Sequence, residues 1–417
     1  MKYRSIKGTK DILPGDAEAW QALEGAIHGI MRRFQYREIR TPVFEATSLF
    51  SRSIGELTDI VAKEMYTFVD RSAESITLRP EGTAAVLRSY IQNSLGDSAP
   101  LTKLYYLGPM FRQERPQAGR LRQFHQYGAE VIGSQDPILD AEIILLASQV
   151  YRTLGLTEFT IAVNSVGCEK CRPPYRRVLT EFLTQRASHL SDESRARLEQ
   201  NPLRVLDSKD ERDRQASAGA PLMMDHLCPG CRTHFEQLMG LLRETDTPFA
   251  IDGRLVRGLD YYTKTAFEIT SRSLGAQDAL AGGGRYDLLI EQLGGKPTPA
   301  VGFAAGIERL MIALAKQELL PPAPPGPTLY FVALGDAARR WAFRKCAELR
   351  HKGHSVEMDL LGRSIKAQMR DANRARARYV LVIGDQELAL GSFKLKEMAS
   401  GTERAVTDSQ IESALKS

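Results

Sequence analysis

A basic segment at residues 111–126 contains the side-chain types that bind phosphate and carboxylate groups. Arg112, Arg120 and the carboxylate of Glu114 stand close together within it. A planar guanidinium can donate two parallel hydrogen bonds to such oxygens, and a neighbouring carboxylate can accept from the amino group of a base. On a predicted β-hairpin, Arg112 and Glu114 would share one face, because side chains alternate along a strand. A solvated basic turn without a ligand is the alternative interpretation.

Two later segments combine arginine with aromatic or glycine residues. Arg257 comes shortly before Tyr261 and Tyr262, and residues 281–287 read Ala-Gly-Gly-Gly-Arg-Tyr-Asp. Buried sheet aromatics would also explain the tyrosines, and a plain turn would explain the glycines. Residues 302–310 are rich in small side chains, which would allow a strand and a helix to pack closely, with Arg309 at the helix start.

Four of the five cysteines form two Cys-x-x-Cys pairs, Cys168 with Cys171 and Cys228 with Cys231. Two such pairs can supply the four thiolates of one tetrahedral zinc ion, which would be structural because no coordination position stays open for catalysis. The separation between the pairs exceeds that of common zinc motifs. Four reduced thiols without a metal are the alternative. Cys346 is predicted to pack in the core on a helix face.

Composition and periodicity divide the chain into three domains and a linker. Residues 1–165 and 246–320 are predicted to form one domain of strands and helices, interrupted at 166–245 by a charged, mainly helical insertion. Prolines within 321–327 predict a stiff, extended linker because each one fixes φ. Residues 328–417 alternate β and α patterns, which indicates a small α/β domain.

Local patterns predict the elements that would position the candidate residues. Apolar residues spaced by three and four predict a helix over 15–35. The strand expected at 36–45 contains Pro42, which cannot donate to a central ladder and therefore indicates a sheet edge or an interface. Further strands are predicted at 104–111, 126–132, 159–165, 248–256, 265–270, 329–334, 355–358 and 379–384, and further helices at 138–154, 173–188, 232–244, 298–310, 336–351 and 363–376.

The bulk composition, 43% hydrophobic and 26% charged, is typical of a soluble globular enzyme. The first residues lack the apolar run of a secretion signal, and no stretch approaches the roughly 18 apolar residues of a membrane span, so we expect a cytoplasmic protein. The odd number of cysteines argues against a disulfide framework. A net charge of +5 is compatible with a nucleic-acid partner but does not require one.

The arginine-rich segment at 111–126 resembles motif 2 of the class II aminoacyl-tRNA synthetases, which is a strand ending in Phe-Arg-x-Glu, a loop and a return strand. The helix and strand that end at Pro42 resemble motif 1 of these enzymes, and 302–310 resembles motif 3. The three motifs occur in the order found in that family. The resemblance implies an α+β catalytic domain built on an antiparallel sheet flanked by helices and, through motif 1, a homodimer.

Two segments make the resemblance more specific. Residues 255–268 and 281–287 are similar to the two histidine-specific motifs of histidyl-tRNA synthetases, and the likeness extends from 8–14 to 395–398. The resemblance implies ATP-dependent activation of L-histidine, with Mg²⁺ as a cofactor, and transfer of the histidyl group to the 3′ end of tRNA(His). It also implies that the C-terminal α/β domain binds the anticodon.

The same resemblance implies roles for individual residues. Arg112 and Arg257 are expected to be catalytic, because fixed positive charge beside the α-phosphate stabilises the negative charge that develops there. The residues expected to bind ATP are Arg112, Glu114, Arg120 and Arg309. The residues expected to bind histidine are Glu81 and Thr83 at the α-amino group, Arg112 and Gln126 at the carboxylate, Glu130 and Tyr262 at the ring nitrogens, and also Gly82, Arg257 and Tyr261.

Residues 359–374 resemble part of an anticodon-binding domain. An electrostatic contact with RNA phosphates would use the arginines at 363, 370, 374, 376 and 378. A plain amphipathic surface helix would place the same residues in solvent, so the local pattern alone does not separate the two interpretations.

Three other functions match parts of the sequence. A non-catalytic paralogue that regulates the ATP phosphoribosyltransferase of histidine biosynthesis generally lacks the C-terminal domain and loses the ATP-binding arginines, whereas this chain keeps both. A tRNA-binding or sensor module is disfavoured by the same arginines. A synthetase for another amino acid is disfavoured by Glu130 together with residues 255–262.

Overall fold

The structure, a computed structural model, describes residues 3–54, 58, 60–198, 201–208, 210–257, 259, 261–275, 278–322 and 324–415. Gly258 and Asp260 of the segment similar to a histidine motif, and Ala323 of the predicted linker, lie outside the described residues. The chain divides into two compact units, Met1–Pro321 and Pro322–Ser417. Within the described part of the chain, every helix is too short or too polar to cross a lipid bilayer.

The first unit contains eleven α-helices and eleven strands among its described residues. The helices are α1 (Asp16–Arg33), α2 (Thr47–Ile54), α3 (Thr83–Gln92), α4 (Pro137–Thr153), α5 (Arg172–Thr184), α6 (Asp192–Arg197), α7 (Leu203–Leu206), α8 (Glu211–Ala216), α9 (Pro229–Glu244), α10 (Leu289–Gln292) and α11 (Ile307–Lys316). The strands are β1 (Arg37–Glu38), β2 (Phe44–Ala46), β3 (Tyr66–Val69), β4 (Ser75–Leu78), β5 (Thr102–Phe111), β6 (Gln123–Ile132), β7 (Thr160–Ser165), β8 (Ala250–Ile251), β9 (Thr263–Thr270), β10 (Ala279–Arg285) and β11 (Ala300–Gly306).

An eight-stranded sheet forms the centre of this unit, in the order β1-β5-β6-β11-β10-β9-β7-β8. All its pairs are antiparallel except β1 with β5 and β7 with β8, which lie at the two edges. A separate three-stranded sheet has the order β2-β4-β3. The predicted α+β architecture on an antiparallel sheet is therefore confirmed, and β1, just before Pro42, lies at a sheet edge as the proline indicates.

One face of the large sheet packs against helices to form the main core. Tyr127, Phe267 and Phe303 alternate with the residues of the opposite face and are buried against apolar side chains of α1, α4 and α11. On α1 the residues Leu23 and Ile27 are fully buried, as their helical spacing predicts. The helices therefore cover one face of the sheet.

Several expected elements have different limits. The strand expected at 36–45 is divided between β1 and β2, and that at 248–256 is reduced to β8. Residues 300–306 form β11 and not the start of a helix, so α11 begins only after the small residues. The two-residue period had predicted Arg112 and Glu114 on one face of a strand. β5 ends at Phe111, however, so both residues lie in a loop.

Residues 166–245 contain helices α5 to α9. Apolar residues of this segment, among them Tyr175, Leu179 and Leu183, form a cluster of their own. Helix α9 also packs against the main core of the unit, to which its residues Phe235 and Leu238 belong. The limits of this insertion and of the other domains, as predicted from the sequence, remain a prediction.

The second unit contains strands β12 (Leu329–Ala333), β13 (Val356–Met358), β14 (Tyr379–Ile383), β15 (Ser392–Glu397) and β16 (Glu403–Thr407). Its helices are α12 (Gly335–His351), α13 (Ile365–Arg374), α14 (Asp385–Leu390) and α15 (Ile411–Leu415). The strand order is β13-β12-β14-β15-β16, with the first three strands parallel and the last two antiparallel. The predicted C-terminal α/β domain is confirmed, and Cys346 is buried in its core.

Candidate active site

Small residues make the face of the large sheet opposite the main core flat enough to receive a ligand. Opposite residues across β6, β11, β10 and β9 form two rows on this face, Gly128-Ala304-Gly282-Glu268 and Glu130-Gly302-Gly284-Ala266. Only the two glutamates have long side chains in these rows. A cavity lies over this face, because there is almost no side-chain volume to fill it.

One end of the cavity is lined by Thr83 and Tyr286, and both hydrogen bond to the buried carboxylate of Glu130 behind them. The Thr83 hydroxyl donates to Glu130 Oε1 over 2.7 Å, and the Tyr286 hydroxyl donates to Oε2. Glu81 accepts from the backbone N–H groups of Thr83 and Ala84 at 2.6 and 2.9 Å, which fixes the start of α3. This end therefore presents a set of oriented polar groups in an otherwise apolar wall.

Glycines create the space that these groups occupy. A Cβ added at Gly302 would lie 1.7 Å from Glu130 Oε2, and one at Gly82 would lie 2.3 Å from the ring of Tyr106. Gly82 and Glu130 thus lie behind the cavity wall, whereas Glu81, Thr83, Gln126, Tyr261 and Tyr262 line it.

Burial raises the pKa of Glu130 to about 8, and this outweighs the hydrogen bonds from Tyr286 and Thr83, which lower it. We expect this carboxyl to be protonated at neutral pH in the free protein. Because the folded chain holds the proton more tightly than the unfolded chain, the group stabilises the fold fully below about pH 4.5 and loses this contribution as the pH rises through 8.

Infrared difference titration of the wild type against Glu130→Gln measures this property. The wild type should show a protonated-carboxyl band that disappears with a midpoint near pH 8, and the variant should lack it. A midpoint below pH 5, where ordinary glutamates titrate, would contradict the assigned pKa.

The other end of the cavity is strongly basic. Arg112, Arg120 and Arg309 all line it, together with Glu114. The Arg309 guanidinium donates from Nε to the carbonyl of Gly119 and from Nη1 to that of Ala279, both at 3.0 Å. Burial and the positive charges of Arg120 and Arg112 lower the pKa of Arg309. Three guanidinium groups therefore repel one another at a place where a polyanion would relieve the repulsion.

Glu114 lies between two of these arginines. Its carboxylate is 3.7 Å from Arg112 Nη1 and 3.4 Å from Arg120 Nε. Arg112 also donates from Nε to the carbonyl of Pro80 over 2.9 Å and lies 5.2 Å above the ring of Phe124. The loop between β5 and β6 therefore brings together Arg112, Glu114 and Arg120, the charged residues that were predicted to lie on a β-hairpin.

Arg257 reaches the cavity between the two ends. Its Nη1 donates to Glu268 Oε2 over 2.7 Å, and its guanidinium lies 5.9 Å from the ring of Tyr262. Burial lowers the pKa of Arg257, but Tyr262 and Glu268 outweigh burial and raise it above the usual value. A Cβ at Gly282 would lie 2.0 Å from this guanidinium, so the glycine is required where Arg257 crosses β10.

Two buried polar atoms of the cavity are without a hydrogen-bond partner in the described part of the chain: Gln126 Oε1 and Arg257 Nε. Native proteins leave few such atoms unpaired, because the loss of hydration destabilises the fold. Both atoms belong to residues that were expected to bind the substrate.

A buried ionic network lies on both sides of Tyr286 and supports the end of the cavity that this residue lines. The Arg285 guanidinium is fully buried and donates to Asp140 and, over 3.0 Å, to Asp287. His234 of α9 lies 3.2 Å from Asp140 Oδ1. The network holds the chain on both sides of Tyr286, so it positions the hydroxyl that contacts Glu130.

Tyr286, Glu268 and the Arg285 network are parts of the site that were not predicted from the sequence. Tyr286 and Arg285 lie within the quoted 281–287 segment, but their contacts join residues more than a hundred positions apart in the chain. Glu268 is the one charged residue in the centre of a strand that is otherwise apolar or hydroxylic between residues 265 and 270, which was an available signal. Glu130 and Tyr262 were both predicted to bind the ring nitrogens; the structure places Tyr262 in the cavity lining and Glu130 behind it, against Thr83 and Tyr286.

The four paired cysteines lie together in space. Their sulfur atoms are all within 4.8 Å of one another, and none of them forms a disulfide. Cys171 and Cys228 directly precede α5 and α9, so the two pairs meet at the N-terminal ends of these two helices.

Residues 8–310 match the family model described as Histidyl-tRNA synthetase. The chain belongs to the histidyl-tRNA synthetase family. Residues 329–417 match the model described as Anticodon binding domain. The resemblance to this family is therefore confirmed.

Relatives in the histidyl-tRNA synthetase family match along their whole length. The histidine–tRNA ligase of Syntrophotalea carbinolica is 48% identical, with 100% of this chain and 98% of that protein covered. That of Chloroherpeton thalassium is 49% identical, with coverage of 99% and 97%. The crystal structure of apo histidyl-tRNA synthetase from S. aureus superposes with a TM-score of 0.85 at 37% identity, covering 100% of both chains.

Proposed function

We propose that this chain is a histidine–tRNA ligase that activates L-histidine with ATP and transfers it to tRNA(His). The observation that carries the proposal is the single cavity with guanidinium groups at one end and the Thr83–Glu130–Tyr286 group at the other. The basic end suits a triphosphate, and the polar end suits a small side chain with two ring nitrogens. The full-length similarity to histidine–tRNA ligases supports the same conclusion.

In the first step, a carboxylate oxygen of histidine attacks the α-phosphorus of ATP. A new P–O bond forms, the bond between the α-phosphorus and the bridging oxygen breaks, and pyrophosphate leaves with the negative charge. Arg112 and Arg257 stabilise the charge that grows on the α-phosphate, and Arg120 and Arg309 bind the leaving pyrophosphate. Glu114 is placed to accept from the adenine amino group.

The imidazole end provides the specificity. Thr83 and Tyr286 line this end of the cavity, and the Glu130 carboxyl behind them accepts from both hydroxyls and so orients their oxygens toward the ring. An amino acid whose side chain cannot pair with these buried groups leaves them without hydrogen bonds. This can lower the kcat/KM for that amino acid by about 10⁴-fold. Glu81 and Gln126 remain proposed ligands of the α-amino and carboxylate groups.

The residues of the cavity fit a magnesium ion. Glu268 offers a carboxylate oxygen to the cavity, and Mg²⁺ is usually held by one or two carboxylates together with substrate phosphates. When bound, the ion would neutralise phosphate charge. The zinc ion considered for the four cysteines would not take part in this chemistry, because its four ligands fill its coordination sphere.

In the second step, a ribose hydroxyl of the terminal adenosine of tRNA attacks the carbonyl carbon of the adenylate. The histidyl group forms an ester with the tRNA, and AMP leaves. We propose that the second unit binds the anticodon region of the tRNA, which is the activity named in the family model that it matches.

The RNA-binding surface proposed for the second unit differs in part from the arginines expected from sequence. Arg363 is bound by Asp359 and Asp371, and Arg374 also pairs with Asp371, so these two side chains are already neutralised. On α12, by contrast, Phe343 is 62% exposed. It lies in a groove that also contains Arg339, Arg340 and Arg344. An exposed ring among arginines is suited to stack on an unpaired base.

Phe343→Ala should raise the KM for tRNA by about tenfold or more, because a base–aromatic stack contributes about 1–3 kcal/mol. Histidine activation without tRNA should not change, since the substitution lies in the second unit. Leu390→Ala removes another exposed apolar side chain of the same unit and serves as the control. Equal KM values for tRNA in the two variants would exclude this surface.

We further propose a homodimer. Large apolar side chains are exposed in the N-terminal segment and on the small sheet next to the motif-1 strand, at Tyr3, Ile6, Leu13, Val43, Phe44, Phe68 and Val69. Exposed apolar side chains of this kind are common at protein interfaces. A second copy of the chain would cover them.

Aminoacylation of total tRNA with each of the standard amino acids tests the proposed function. Histidine alone should be incorporated, and only into tRNA(His). Charging with another amino acid would identify a different synthetase. A well-folded protein that binds histidine but charges no tRNA would favour the regulatory paralogue, which is at present disfavoured by the intact arginines and the presence of the second unit.

A further inference from the structure

The cluster of Cys168, Cys171, Cys228 and Cys231 has the geometry of a metal site. Cys168 Sγ lies 3.6 Å from Cys171 Sγ and 3.9 Å from Cys228 Sγ, and all four sulfurs fall within 4.8 Å of one another. Four thiolates around one zinc ion at about 2.3 Å, at the corners of a tetrahedron, are about 3.8 Å apart. The spacing of the sulfurs therefore matches an ion at their centre.

The backbone around the cysteines is shaped in a way that supports ligation. The N–H of Cys228 donates to Cys171 Sγ over 3.2 Å, which is the type of contact that stabilises a metal-bound sulfur. Gly167 has a φ of 65°, and a Cβ at this position would lie 2.8 Å from that of Cys171. The turn that brings the first pair of cysteines together thus requires glycine.

The cysteine cluster is tied directly to the histidine end of the cavity. Arg172, the residue after Cys171, donates from Nε to the carbonyl of Val166 over 3.2 Å and from Nη2 to the carbonyl of Tyr262. Lys264 donates its N–H to the carbonyl of Gly167 over 2.8 Å, and its own carbonyl accepts from Val166 over 2.7 Å. The loop that leads into the first cysteine pair is therefore hydrogen-bonded to the start of β9, directly after Tyr262.

Lys264 has a left-handed backbone, with a φ of 49°. A non-glycine residue adopts this conformation only where its surroundings enforce it. The two backbone hydrogen bonds with the cysteine loop and the ion pair of Lys264 Nζ with Asp287 at 3.2 Å provide the constraint. If the cysteine loop loosened, the backbone from Tyr262 to Lys264 would lose part of what fixes it.

We infer that this chain binds a structural Zn²⁺ through Cys168, Cys171, Cys228 and Cys231, and that the ion, acting through Arg172 and the Gly167 turn, positions Tyr262 in the substrate cavity. A tetrahedral set of four sulfur ligands selects zinc or iron, and it leaves no open position for catalysis. Arg172 is a positioning residue. The zinc site stands on the geometry alone, whereas its effect on histidine binding rests on the proposed function.

Metal analysis of the purified full-length chain tests the site without using activity. About one zinc per chain is expected, and Cys228→Ser should lose it, whereas Cys346→Ser, which alters the buried cysteine of the other unit, should retain it. Should Cys228→Ser fail to fold, Co²⁺ reconstitution of the wild type gives the visible spectrum of tetrahedral thiolate ligation. A folded wild type without metal, or with iron in place of zinc, would refute the inference.

Kinetics of Arg172→Met test the coupling. The variant should keep its zinc, and its KM for ATP should change little. Its KM for histidine should rise by about tenfold, because a small displacement of a binding group strongly weakens its interaction with the substrate. Arg177→Met changes an exposed residue on the same helix and should match the wild type in both constants. Retained zinc with an unchanged KM for histidine would refute the coupling. A wild type that contains zinc but charges no tRNA would leave the site standing and reject the proposed function.

Discussion

Replacing Arg257 by alanine is expected to lower the turnover of histidyl-adenylate formation by about 10²-fold or more, while the KM for histidine changes little. Arg257 lies on the cavity wall between the imidazole end and the basic end, and Glu268 fixes its guanidinium from the side at 2.7 Å. In the proposed mechanism its charge lies beside the α-phosphate, where negative charge grows during the reaction. Its loss therefore affects the transition state more than the bound substrates.

Pre-steady-state formation of the adenylate, measured without tRNA, is the appropriate assay because product release does not limit it. Arg254→Ala, an exposed arginine of the same segment, is the control and should behave as the wild type. If Arg257→Ala raises the KM for histidine and leaves turnover unchanged, the charge acts on the ground state and the catalytic role is wrong.

Gly302→Ala is expected to reduce the kcat/KM for histidine by about 10³-fold or more. The added Cβ would lie 1.7 Å from Glu130 Oε2 and 2.6 Å from the carbonyl of Ala129, so the carboxyl must leave its contacts with Thr83 and Tyr286. A displaced Glu130 leaves three buried polar groups with wrong partners at the imidazole end. Binding of ATP at the basic end should be much less affected.

Gly240→Ala is a suitable control, because a Cβ at Gly240 on α9 would meet nothing within 4 Å. Glu130→Gln, which keeps the size of the side chain, distinguishes a local effect from misfolding and should lower the kcat/KM for histidine in the same direction. Wild-type kinetics in a folded Gly302→Ala protein would show that Glu130 does not determine the histidine site.

Much of the fold follows from local sequence patterns. The amphipathic pattern of α1 and the extended hairpin of β5 and β6 gave the correct element types, because helices and long strands bury one face with a regular period. Pro42 indicated an edge for the same local reason. Some errors came at β10 and β11, where glycine and alanine weaken the periodic pattern, and others came where a predicted strand is divided or shortened, at 36–45 and 248–256.

The site could be predicted only in part. Arg112, Arg257 and Arg309 were chosen because they belong to recognisable motifs, and the structure brings all three to one cavity. Tyr286 was missed because its contact with Glu130 depends on the register between β6, β11 and β10, which no local pattern determines. The placement of Glu114 depends on the loop after β5, since the strand ends at Phe111.

The most direct test of the account is the exchange of labelled pyrophosphate into ATP in the absence of tRNA, measured with each standard amino acid in turn. The account predicts rapid exchange with histidine, background rates with all others, and loss of the histidine signal in Arg257→Ala. Exchange that does not depend on histidine, or that is equally fast with another amino acid, would contradict the assignment of a triphosphate and an imidazole to the two ends of this cavity.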